Sequence, residues 1–243
     1  MQPADGLVYV AAHRGLGRFM LDAIDPSVTD ERDPVACDPE LDMYEPRNGY
    51  VPAPAWSTYD ASFLARYRAA QRARVEKLDA YARERLAARQ GSERAKVAED
   101  VMVVYRTMAN PTYVDCAIDP SGRDYGSLLS ERPDLMNYAA LGLGRTMTPR
   151  VWLSSWSGLA SHADLVANAA RITEPTLLVA AGRDREIYPG DIEAIAGAIA
   201  SADKRVETIA GARHYFEPEP GQHDGHVGEL MDRIVPWIAE RFA

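Results

Sequence analysis

The sequence predicts an α/β fold: a parallel sheet of three core strands, interrupted by a large and mostly helical insertion. Three observations carry that expectation. Pro175-Thr176-Leu177-Leu178-Val179-Ala180-Ala181 is an unbroken apolar run, the pattern of a strand buried on both faces. It opens a strand–helix–strand–helix succession in the last third of the chain, and such alternation implies parallel pairing through right-handed crossovers. A second apolar run, Gly6-Leu7-Val8-Tyr9-Val10-Ala11-Ala12, is followed by a helical pattern of its own.

Taken in order, Gly6 to Ala12 is the first strand. Arg14 to Ile24 reads as a helix with Leu16, Phe19, Met20 and Ala23 on its buried side, stopped by Asp25-Pro26-Ser27. Residues 26–60 are rich in Pro, Asp, Glu, Asn and Gly, an irregular excursion too long for an ordinary connection. Asp60 stands where it can cap a helix running from Ala61 to about Gln90, with Gly91 as its stop. Leu64, Tyr67, Gln71, Val75, Leu78, Ala82 and Arg85 share one face of it. Arg66, Arg68, Arg72, Arg74, Lys77, Arg83, Arg85 and Arg89 make a basic, solvated face. At 1.5 Å per residue this helix is about 40 Å long. Val101 to Arg106 fits either a short strand or a helix end, and Asp119-Pro120-Ser121-Gly122 is turn chemistry. After the strand 175–181 come a turn at Gly182-Arg183-Asp184 and a helix from Asp191 to Ala200, buried through Ile192, Ile195, Ala196 and Ile199. A strand from Arg205 to Ile209, a loop at Gly211–Tyr215 and a final helix from Gly228 to Phe242 complete the chain. The expected division is residues 1–25 as the first core strand and helix, 26–165 as the insertion, and 166–243 as the remaining core.

Bulk composition narrows the function classes. The 243 residues, 47% hydrophobic, can bury one sizeable core or a core plus a subdomain. A net charge of −9 argues against nucleic-acid binding, which favours a basic patch. Cys37 and Cys116 form no C-x-x-C pattern, which argues against a disulfide framework or a cysteine-based zinc site. No apolar run approaches the roughly 18 residues of a membrane span, and the N-terminal residues have no leader pattern. The expectation is therefore a cytoplasmic protein without membrane attachment.

In a parallel sheet, functional side chains gather at the carboxyl ends of the strands. Asp184 and His214 stand just past two such ends, and adjacent strands lie about 4.8 Å apart. A carboxylate beside an imidazole fixes its tautomer and stabilises the imidazolium, the orienting half of a nucleophile–histidine–acid triad. From spacing alone, a surface aspartate and an unrelated loop histidine remain an equal alternative. Glu186 is the rival acid, two residues farther from the strand.

Pro175 to Phe242 as a whole resembles the end of an α/β-hydrolase. Ala181-Gly182-Arg183-Asp184 is similar to the family's acid loop. Asp203-Lys204, leading into Ile209-Ala210-Gly211-Ala212-Arg213-His214-Tyr215, is similar to its histidine loop. Upstream, Arg106-Thr107, Ile118-Asp119-Pro120-Ser121 and Trp152-Leu153-Ser154-Ser155-Trp156-Ser157 resemble the lid of a bacterial esterase-like subgroup. Gly6 to His13, followed by Ile24-Asp25-Pro26-Ser27, resembles that subgroup's sixth strand and entry to the lid. The resemblance implies a partial α/β-hydrolase fold with residues 26–165 as lid, His214 as general base and Asp184 as its acid.

The departure from the family pattern is the nucleophile. The fold places it after the fifth strand in Gly-x-Ser-x-Gly, and this sequence contains no such motif. If Gly6–Ala12 is the sixth strand, the earlier strands lie outside this sequence, and the first strand has an open edge that seeks a partner. Ser154, Ser155 and Ser157 are nucleophiles by residue type, but they lack the strand–glycine turn that exposes one. His13, just past the first strand, either lines the mouth of the expected pocket or is merely structural. Trp152 and Trp156, with Tyr44, Tyr50 and Trp56, suit an apolar acyl substrate. Gly15-Leu16-Gly17 offers backbone N–H groups at a helix start. His223, Asp224 and His226 are the only metal-like grouping, in a Gly/Pro-rich loop where Asp224 also suits a helix cap, and neither metal nor cofactor is expected. The reading is a serine-hydrolase portion acting on carboxylic esters or related acyl substrates, with the nucleophile from a missing segment or second chain that covers the sheet edge. Its rival is a non-catalytic hydrolase-like module that pairs through that edge with a companion or a second copy.

Overall fold

The computed structural model describes residues 4–89, 91, 93–98, 100–219, 221 and 223–242, with backbone alone for Lys96. In chain order its elements are β1 (Leu7–Val10), α1 (Leu16–Ala23), α2 (Ala61–Ala88), α3 (Glu93–Val97), β2 (Met102–Val103), α4 (Pro133–Met136), β3 (Thr146–Met147) and α5 (Pro149–Val151). There follow a π-turn at Trp152–Trp156, then α6 (Leu165–Ala169), β4 (Thr176–Ala181), α7 (Pro189–Ala198), β5 (Lys204–Ile209) and α8 (Val227–Phe242). They divide into two compact units: Met1–Arg14, Asp119–Leu128 and Leu165–Ala243 in the first, Gly15–Ile118 and Leu129–Asp164 in the second. The division departs from the sequence boundaries in two places. Helix α1 groups with the second unit, and Asp119–Leu128 groups with the first.

The first unit is the expected parallel α/β sheet. Its strand order is β1-β4-β5, with Leu7 opposite Thr176 and Thr176 opposite Lys204. All six residues of β4 are buried, which is why its sequence shows no polar alternation. The two-residue period sends Leu177, Val179 and Ala181 to one face, where they meet Ile209, Phe216 and Trp237 beneath α8. Leu178 goes to the other face with Ile195, Ile199 and Ala169 of the α6–α7 layer. Strand β1 lies at an edge. The Leu7 and Ala11 N–H groups donate to the Pro175 and Val179 carbonyls, each at 2.9 Å. By alternation, the N–H and C=O of Val8 and Val10 point away from β4. Among the described residues no strand pairs with that side.

The second unit is mostly helical. Its core holds Met20, Ile24, Val75, Leu78, Ala82, Met102, Val104, Met147 and Trp152. Helix α1 buries Met20 and Ala23 as expected, but Gly17 takes the place of Leu16, which is exposed, and of Phe19, which is half-buried. The reason is close backbone packing: a Cβ on Gly17 would lie 2.6 Å from the Ser157 carbonyl, and one on Gly15 2.0 Å from that of Ala163. The Gly-x-Gly thus answers to packing and to the φ of +126° at Gly15. Within Val101–Arg106 only Met102–Val103 forms strand, β2 pairing antiparallel with β3.

Helix α2 matches its expected start. Asp60 occupies the cap position, although its side chain makes no capping bond and its backbone carbonyl accepts from Leu64. Gln90, the expected end, lies outside the described residues. Phe63 is buried in place of Leu64, and Arg74 leaves the basic face for the interior. Gln71 and Arg74 are buried because carbonyls at the end of α1 and just beyond it take donors from outside that helix. Gln71 Nε2 donates to the carbonyls of Asp22 and Ile24, each at 2.8 Å, and Arg74 donates to that of Asp25 at 2.7 Å while pairing with Glu31. The excursion 26–60 is irregular but ordered by its aspartates. Asp25, Asp30, Asp33, Asp38 and Asp42 each accept the N–H two residues ahead, so side chains supply the turns that secondary structure does not.

Candidate active site

Asp184 and His214 are brought together by the register of two parallel strands. Gly182 ends β4 with its N–H on the Ile209 carbonyl at 2.9 Å, and the Arg183 N–H reaches the Ala212 carbonyl at 2.8 Å. The acid loop therefore lies against the histidine loop. Gly182 permits this approach, since a Cβ there would sit 2.6 Å from the Ala210 carbonyl oxygen and 2.7 Å from Ala210 Cα. In that frame His214 Nδ1 stands 2.8 Å from Asp184 Oδ2. The other carboxylate oxygen, Oδ1, accepts the N–H groups of Glu186 at 2.8 Å and Ile187 at 3.1 Å.

The carboxylate is buried, and the imidazole nearly so. Burial alone depresses the His214 pKa. The Asp184 hydrogen bond and charge, with Glu186 and Glu217 behind them, more than offset it and hold the value above that of a free histidine. With Nδ1 engaged by a carboxylate, Nδ1 carries the proton in the neutral ring and Nε2 is the nitrogen that takes one up.

Glu186 is not the orienting acid. Its Oε2 accepts the Leu128 N–H at 3.3 Å, and its charge helps to raise the His214 pKa. His13 lies past the end of β1, within electrostatic range of His214. Its pKa is lowered, first by burial and then by the His214 charge, against the opposing pull of Asp191.

The expected aromatic wall is not assembled as such. Trp152 has no accessible surface, and its Nε1 donates to Asp79 Oδ1 at 2.7 Å in the core of the second unit. A side chain so placed packs the core and cannot line an open cavity. Trp156 packs half-buried against the same core and covers Gly144. The Tyr44 hydroxyl is spent on the Met108 carbonyl, and its ring meets Tyr50 edge-on. A cavity of about 700 Å³ in that unit is lined instead by residues such as Lys77, Leu78, Tyr81, Val101, Met102 and Val103. The three serines are tied into local turns. Ser157 Oγ accepts from the N–H of Leu159 and Ala160, and Ser154 shares a hydrogen bond with Ser155.

Among the described residues no group of three or more His, Cys, Asp or Glu side chains is arranged to hold a metal. His226 instead faces Glu229 at 3.3 Å. No described helix is long and apolar enough to cross a membrane. Arg183 and Arg213, to which the sequence pattern assigns no role, flank the pair and share Asp124. Their signal was their position, each one residue before a candidate catalytic side chain.

Comparison with known proteins gives a family. Residues 94–221 match the family model described as serine aminopeptidase, S33, a segment containing both Asp184 and His214. No curated protein and no solved structure matches the chain. A parallel sheet carrying an acid and a histidine on adjacent strand ends agrees with that match: the chain belongs to the serine aminopeptidase S33 family of α/β-hydrolases.

Proposed function

We propose that this chain provides the acid–base half of a serine hydrolase acting on carboxylic esters or related acyl substrates, amides included. The observation that carries the reading is the 2.8 Å contact between buried Asp184 and His214 at the carboxyl ends of β4 and β5. His214 Nε2 takes the proton of a serine hydroxyl as its oxygen attacks the acyl carbon. The imidazolium, stabilised by Asp184, returns that proton to the leaving alcohol or amine. Water then repeats the sequence on the acyl-enzyme, with His214 again as base. The serine comes from outside this sequence, on a segment or companion chain that pairs with the free side of β1.

The test co-expresses the chain with a Gly-x-Ser-x-Gly-bearing companion and measures turnover of an activated short-chain ester and labelling by a fluorophosphonate. Labelling of the companion's serine, with turnover lost in H214A, is the expected result. Labelling of this chain alone overturns the external nucleophile, and turnover unchanged in H214A overturns the general base. The free side of β1, with exposed Val10, supports a second reading: a non-catalytic module that binds through its sheet edge. Self-association in sedimentation that is abolished by V10P, with no turnover in any combination, selects that reading.

A further inference from the structure

We infer that the ten-residue segment Asp119–Leu128 is a latch that positions the acid–histidine pair, and that Asp124 is its principal positioning residue. The inference rests on the reading of Asp184 and His214 as acid and base. Although both flanks of the segment belong to the second unit, the segment itself groups with the first, and its contacts show why. The Asp119 carboxylate accepts the Gly190 N–H at 3.1 Å, at the start of α7. The Arg123 guanidinium lies 4.8 Å over the Tyr188 ring. The Tyr125 carbonyl accepts from Arg185 at 3.4 Å, and the Leu128 N–H donates to Glu186. Nearly the whole acid loop, from residue 183 to 190, is thereby held from one side.

Asp124 does more than hold the acid loop. Arg183 Nη2 reaches both of its oxygens, at 2.8 and 3.0 Å, and Arg213 Nη2 reaches one of them at 3.1 Å. Glu219 closes the square, 2.5 Å from Arg183 and 2.8 Å from Arg213. Arg183 immediately precedes Asp184, and Arg213 immediately precedes His214. Two guanidinium groups so close together repel unless carboxylates lie between them, so Asp124 and Glu219 turn a repulsive contact between the two loops into a tie. A single exposed ion pair stabilises little. Four charges in one network with half-buried partners constrain geometry more than an isolated pair does. Asp124 touches neither member of the catalytic pair; it acts through the two arginines.

The test reads the proton between His214 Nδ1 and Asp184 Oδ2, whose far-downfield NMR resonance survives only while the hydrogen bond stays short and shielded from exchange. It is measured with the His214 pKa in the wild type, D124A, D124E and D184N. The latch predicts that D124A broadens or abolishes the resonance and lowers the pKa by more than about half a unit, and that D124E restores both. A sharp resonance in D124A overturns the inference, whether or not the pKa moves, because charge alone shifts a titration without loosening the contact. D184N separates the two levels. If D184N lowers the pKa while D124A leaves the resonance intact, the latch fails and the acid–histidine reading stands. If D184N also leaves the pKa unchanged, both fall.

Discussion

Replacing Asp184 with Asn is the sharpest perturbation of the candidate site, because it changes charge and hydrogen-bond direction while leaving shape alone. Asn Oδ1 can still accept the Glu186 and Ile187 N–H groups that hold the native carboxylate, so the loop has reason to keep its form. Its Nδ2 then faces His214 Nδ1 at the native 2.8 Å. Two donors cannot share that contact, so the imidazole proton moves to Nε2 and the ring can no longer accept a proton there. A hydrogen bond to a charged partner is worth about 1.5–3 kcal/mol, and 1.36 kcal/mol corresponds to one pH unit, so the His214 pKa should fall by roughly one to two units. Burial, the largest influence on His214, persists in the variant and outweighs the weaker pulls of Glu186 and Glu217, so the final value should lie below that of a free histidine. The linkage sign follows. In the wild type the raised pKa adds stability that is present below the unfolded histidine value and lost as the pH rises through the folded one. In D184N the lowered pKa reverses the slope, with stability lost as the pH falls through the folded value. Proton and nitrogen NMR of His214 give the titration and the tautomer together, and urea midpoints between pH 5 and 8 give the slope. A pKa moved by less than a few tenths, or a tautomer that stays on Nδ1, refutes the argument.

Four further outcomes follow from named contacts. Trp152→Phe should cost about 2–3 kcal/mol in urea denaturation, because it strips buried Asp79 of the indole N–H at 2.7 Å; a loss below about 0.5 kcal/mol contradicts that bond. Arg106→Met leaves the buried carboxylates of Asp25 and Asp42, now 2.8 and 2.9 Å from the guanidinium, without their cation. The expected cost in urea denaturation is about 3–5 kcal/mol at neutral pH, and a loss below about 1 kcal/mol counts against the buried ion pairs. Gly182→Ala drives a methyl into the Ala210 backbone; about 1–3 kcal/mol should be lost and the His214 pKa should drop as the loops part, whereas an unchanged titration shows that the loops do not set it. His214→Ala removes the positive neighbour that lowers the His13 pKa, so His13 should titrate higher in that variant, and an unmoved His13 denies the coupling.

What was legible in the sequence follows the length scale of its causes. The strand 175–181 and the helix after it were plain because burial on both faces of a sheet demands an unbroken apolar run and β4 is such a strand. The acid and the histidine were readable for the same reason: parallel strands end side by side, so residues one step past each end become neighbours. Arg74 departs from the exposed basic face of α2 because its guanidinium is drawn in by the Asp25 carbonyl nearly fifty positions away, and nothing in a helical period announces so distant an acceptor. Trp152 was read by type, as an aromatic for an apolar pocket, whereas its N–H partner Asp79 lies 73 positions upstream. The Asp119–Leu128 segment was read as turn chemistry, correctly as local conformation. Its attachment to the acid loop depends on pairings across some sixty to ninety positions.

The same distances explain how an acid–histidine pair can be stable in a unit assembled from three pieces of chain. The β4–β5 pairing, the helix α7 between them and the two loops all come from one continuous stretch, so the 2.8 Å contact closes locally and needs no distant strand to form. Strand β1 joins across more than 160 positions. Closure entropy grows only as the logarithm of loop length, about 0.6 kcal/mol per doubling, and most of the intervening chain folds as a unit with its own core. The four-residue β1 can therefore be added at small entropic cost. Its second side is still unpaired among the described residues, which places the open hydrogen-bonding groups of Val8 and Val10 one strand away from the strand that carries Asp184. A companion strand docking there would set its own carboxyl end two strands from the one that carries Asp184.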